Sequence, residues 1–194
     1  MQIREICGKQ NLKPQITNHT MDKPKSQKLD IIIPAFRGHS QNFLMVLDGI
    51  SEEDALTRIE GRTNHIIWMA GNFLDMRYAL GNVLGLEEKF EFKEYFSEGK
   101  ALDESFKYPT LEQLKKSFHQ ISPLVYNKLL EATDEDLDKD LPMGMNIDFF
   151  PENVLNFVGM CIGREDYLSG QIGLMRRIFN YEGMKYDFDE NMKY

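Results

Sequence analysis

Residues 63–84 read Thr63-Asn-His-Ile-Ile-Trp-Met-Ala-Gly-Asn-Phe-Leu-Asp-Met-Arg-Tyr-Ala-Leu-Gly-Asn-Val-Leu84. Ile66, Trp68, Met69, Phe73, Met76, Leu80 and Val83 recur at helical spacing and form one broad apolar stripe, which predicts an amphipathic helix with a face in a core. Gly85 follows directly, and a residue without a Cβ is the usual way to close a helix in the left-handed conformation. A stripe this long needs partners of its own kind.

Working outward, a first helix is predicted from Pro34, a residue favoured in a first turn, to about Ile50, with Phe36, Phe43, Leu44, Leu47 and Ile50 on its buried face. Ser51-Glu-Glu-Asp54 caps a short turn after it. Residues 87–109, rich in Phe, Lys and Glu, show no strong period and read as a long connection. A capping box, Thr110-Leu-Glu-Gln113, opens a third helix through Leu114, Phe118, Ile121, Leu124, Val125, Leu129 and Leu130, with Pro123 set to kink it. The acidic stretch 133–140 and Pro142-Met-Gly144 read as a loop. A fourth helix opens at Pro151 and runs to about Tyr181. Its Gly159, Gly163, Gly170 and Gly173 each cost about 1 kcal/mol relative to Ala, which predicts close helix contacts there. The expected fold is all-α, an antiparallel four-helix bundle with a long connection between the second and third helices. Residues 1–30 are expected to be a mobile leader, 31–181 the bundle and 182–194 an acidic, aromatic tail that folds back or frays. Met21 is a second candidate start beside Met1.

The chain has 194 residues, enough for one domain with a core that needs no disulfide or structural metal. No run approaches the roughly 20 apolar residues that span a bilayer, and the polar N-terminus has no signal-peptide core. With only Cys7 and Cys161, a disulfide framework is not expected. These features predict a cytoplasmic protein without membrane contact. The net charge of −8, with basic residues grouped only in pairs such as Lys115-Lys116 and Arg176-Arg177, argues against nucleic-acid binding.

The segment Gly61-Arg-Thr-Asn-His-Ile-Ile-Trp-Met-Ala-Gly-Asn72, followed by Met76-Arg77, resembles the second helix of the DinB/YfiT-like superfamily, whose usual pattern is an Asn, a Trp, Gly-His and then an Arg. Gly163-Arg-Glu-Asp-Tyr-Leu-Ser-Gly-Gln-Ile-Gly-Leu-Met-Arg-Arg177 is similar to that family's fourth helix, usually His-x-x-Tyr-His-x-Gly-Gln and then Arg-Arg. Glu135-Asp136-Leu137 also suits the family's loop, and the resemblance spans roughly residues 31–181. It implies a four-helix bundle, often dimeric, in which three His hold a divalent metal, in thiol-dependent transferases, isomerases and hydrolases. Carried over residue by residue, the ligand positions fall on Asn72, Arg164 and Leu168. An amide is a poor ligand for transition metals, a guanidinium keeps its proton, and leucine has no lone pair.

No metal and no cofactor are therefore expected. Residues 164 and 168 are one turn apart on one helix face, so the frame of the site remains. Arg164 is expected to point into the bundle and supply the positive charge, with the Asn72 amide oxygen across from it and Asp75 as the first candidate carboxylate. Trp68 and Gln171 complete the candidate ligand-binding set, although a lone Trp is more often core. His65 lies seven positions before Asn72, about 10 Å along the axis, too far to replace a lost ligand. His19, His39 and His119 show no paired metal spacing. The expected function is a DinB-like protein with a degenerate metal site, non-catalytic, binding a small anionic molecule or a partner, as a homodimer. The alternative is a metal-dependent thiol S-transferase or hydrolase with a repositioned metal.

Overall fold

The computed structural model describes residues 22–97 and 100–194. Among these, every regular element is helical: α1 (Ile32–Val46), α2 (Glu52–Leu56), α3 (Ile66–Val83), α4 (Lys93–Phe96), α5 (Leu111–Glu131), α6 (Asp134–Leu137) and α7 (Val154–Ile178). The all-α expectation holds at that level. The long helices pack pairwise, α3 against both α5 and α7, and α1 against α7 and α5. Phe43 lies at their centre, 4.6 Å from the Phe73 ring and 4.7 Å from that of Phe118.

Local chemistry explains most boundaries. Thr110 and Gln113 form the expected capping box of α5, and Pro123 lies inside that helix without ending it. α3 closes with Leu86 N–H on Gly81 O and Gly85 N–H on Asn82 O, a Schellman arrangement with Gly85 at φ 87°. Ser51 Oγ accepts the Asp54 N–H and opens α2. The starts of α3 and α7 are later than expected, because His65 and Asn153 are the residues whose side chains accept the first free N–H groups.

Several expectations are corrected. The acidic stretch after α5 contains a helical turn, α6, started by a second capping box between Thr133 and Asp136. The connection 87–109 contains α4 and buries two of its aromatics while leaving Phe106 exposed: Phe96 is fully enclosed, and Phe90 stacks on Tyr78 at 4.9 Å. The glycines of α7 are not at close contacts, since a Cβ at Gly159, Gly163, Gly170 or Gly173 would meet nothing within 4 Å. The tight glycines are in α3, where a Cβ at Gly71 would run into the Phe96 ring and one at Gly81 would come within 2.8 Å of Leu86.

The expected leader lies outside the described residues over 1–21. From Lys25 onward the chain is tied down: Lys25 N–H donates to Leu130 O, Ser26 donates to Asp134, and Leu29 is buried. The tail folds back on α1, where Gln41 exchanges two hydrogen bonds with the Asp189 backbone at 3.1 and 2.6 Å and Arg37 donates to Met192 O at 2.9 Å. Among the described residues no helix is long and apolar enough to cross a membrane.

Candidate functional site

Asn72 and Asp75 lie one turn apart on α3, with Trp68 one turn before Asn72, and all three are buried. Arg164, Leu168 and Gln171 follow the same spacing on α7, which packs against α3. Arg164 reaches across this seam: its Nε and Nη2 donate to Asn72 Oδ1 at 3.0 and 2.9 Å. Asn72 in turn donates from Nδ2 to Phe96 O at 3.4 Å. The guanidinium lies 5.3 Å from the centre of the Tyr167 ring. Leu168 contributes only apolar surface and is buried. The Trp68 indole N–H is buried without a hydrogen-bond partner among the described residues. Asn72 and Arg164 meet directly across the seam.

A divalent metal does not fit this donor set. A guanidinium already donating to the one amide oxygen would set a fixed positive charge against the ion. Among the described residues no group of three or more His, Cys, Asp and Glu is arranged to hold a metal.

A second polar centre lies deeper, and the sequence reading missed it. Arg77 is fully buried, with its guanidinium carbon 4.1, 4.7 and 5.1 Å from the ring centres of Phe36, Phe73 and Phe118. Its Nε and Nη2 donate to Glu165 at 2.6 and 3.1 Å, and its Nη1 donates to Ser40 at 2.9 Å and Ser122 at 2.7 Å. His39 sits beside the pair, Nδ1 3.2 Å from Glu165 and Nε2 2.9 Å from Asp166. Residues from α1, α3, α5 and α7 thus meet on one guanidinium. Burial alone would raise the Glu165 pKa; the Arg77 charge and the hydrogen bonds from His39 and Arg77 overcome that and hold it below the usual glutamate value. The readable signal was an acidic residue in the apolar register Cys161, Glu165, Leu168, Ile172 of α7.

His65 is structural. Its Nδ1 accepts the Trp68 N–H at 2.9 Å, and its ring meets Tyr108 edge-on at 4.7 Å. Burial pushes its pKa down to about 4, so the ring stays neutral and keeps a lone pair for the cap. Burial pushes the Cys161 thiol well up, which removes it as a nucleophile at neutral pH. No family profile, curated protein or solved structure matches the chain.

Proposed function

We propose that this chain is a DinB-like antiparallel four-helix bundle with a degenerate metal site, which binds a small anionic molecule at Arg164 without catalysis. The observation that carries this reading is the pairing of Arg164 with a neutral oxygen. A guanidinium has five N–H donors, and the two hydrogen bonds to Asn72 leave the charge uncompensated by that partner. Arg164 is only half-buried, so an anion can approach its guanidinium from the solvent side. The pairing falls on two positions where the resembled family carries metal ligands, so a fixed organic cation stands where relatives hold an ion. A cytoplasmic homodimer belongs to the same proposal. The outer face of α7 supports the dimer, because Tyr167 and Leu174 are exposed there.

Inorganic phosphate is the test probe, with melting temperature as the readout. Wild type should gain about 2.7 kcal/mol at a hundredfold excess over Kd, and Arg164→Met should gain nothing while its unliganded stability stays equal or rises. An equal response from both proteins would overturn the anion reading. One equivalent of zinc, nickel or manganese surviving dialysis would favour the metal-dependent transferase or hydrolase instead. Light scattering at tens of micromolar, well above the roughly micromolar Kd of a useful dimer, should report twice the chain mass.

A further inference from the structure

Away from the α3–α7 seam, the returning C-terminal segment borders a cleft of about 460 Å³. It is lined by Asn42 of α1 and by Asp166, Ser169, Gly170, Gly173 and Arg177 of α7. Ser169 is only 8% exposed, and its Oγ has no hydrogen-bond partner among the described residues. The Asn42 Oδ1 is likewise buried and unpartnered. Native proteins rarely leave such atoms unpaired, and two on residues that line one cleft point to an occupant that reaches them once the covering tail segment yields.

The remaining lining says what the occupant carries. A Cβ at Gly170 or Gly173 would meet nothing within 4 Å, so a flat chain can lie directly on the helix there. Asp166 and Arg177 share this helix face, eleven positions apart (177 − 166 = 11) and so about 16 Å along the axis. The Arg177 guanidinium lies beside Gly183, which also lines the cleft. One end thus offers a carboxylate, exposed but with His39 Nε2 2.9 Å from one oxygen, and the other a cation.

We propose that this cleft binds a small elongated zwitterion of di- or tripeptide size. Its amine faces Asp166, its carboxylate faces Arg177, and its amide groups pair with Asn42 Oδ1 and Ser169 Oγ. An extended tripeptide spans about 10 Å, and the two charged side chains cover the rest of the distance. The cleft volume falls in the range of about 300 to 1,000 Å³ usual for small-molecule sites. A pure anion would be repelled by Asp166 and a pure cation by Arg177. The covering residues 183–188 have no regular structure, so they can yield to admit the ligand.

Calorimetric titration of the full chain with trialanine, N-acetyl-trialanine and trialanine amide tests this. Trialanine should bind saturably, and blocking either end should weaken it by about tenfold or more, the loss of one charge-assisted hydrogen bond. Arg177→Met should remove the preference for a free carboxylate. Gly170→Leu, at a helix position with open space around it, should keep the melting temperature and abolish binding. Arg164→Met should leave trialanine binding unchanged, which separates this site from the one on the α3–α7 seam. No saturable binding up to about 10 mM, binding indifferent to the end charges, or full binding by Gly170→Leu would overturn the proposal. Should Gly170→Leu fail to fold, the end-group preference of Arg177→Met decides.

Discussion

Arg77 has no surface left for water, so its charge depends entirely on Glu165, two serines and three aromatic rings. A charge so placed costs little while paired and a great deal when its partner is removed. Arg77→Met and Glu165→Met should each destabilise the fold by about 3 to 5 kcal/mol in urea melts, because each leaves one buried charge uncompensated. The double variant should lose much less than the sum, since an apolar pair of similar volume is often neutral. A fully additive double variant would show that the two residues do not act as a pair.

At the scale of elements, the cap of α3 makes stability depend on pH. His65 has a pKa of about 4 in the folded chain against 6.5 when unperturbed. The unfolded chain therefore binds a proton first as pH falls, and this contribution is complete above about pH 6.5 and drains away toward pH 4. His65→Asn, which keeps a capping oxygen, should flatten the fall in urea midpoint between pH 7 and pH 5. Glu165 acts in the same sense only further down, below its ordinary value of 4.5. A variant with an unchanged slope would remove His65 as the source.

The long helices were legible because their stripes and capping boxes are local signals. α4 and α6 were not, being single turns held by Thr133 and by packing of Phe96 against Gly71. The meeting of Asn72 and Arg164 was implied by the family resemblance, which put both at one site, and not by periodicity. The pairing of Arg77 with Glu165 did not, because it joins residues 88 positions apart whose burial only tertiary packing decides. The α7 glycines misled for a related reason: a small residue marks either close approach or an uncovered face, and composition does not distinguish the two.

For the whole molecule, the centre at Arg77 joins four helices that local hydrogen bonds would let form separately. An α1 or α7 shifted by one turn would move Ser40 or Glu165 about 5.4 Å away and leave the guanidinium dry and unanswered. Half-assembled forms thus have no comfortable dry interior, and the four helices must arrive together or stay hydrated. Native-state amide exchange should accordingly give one common opening free energy for the central turns of α1, α3, α5 and α7. The guanidinium then serves as an assembly checkpoint, admitting one register of the helices and stalling every other at the stage where water is still inside.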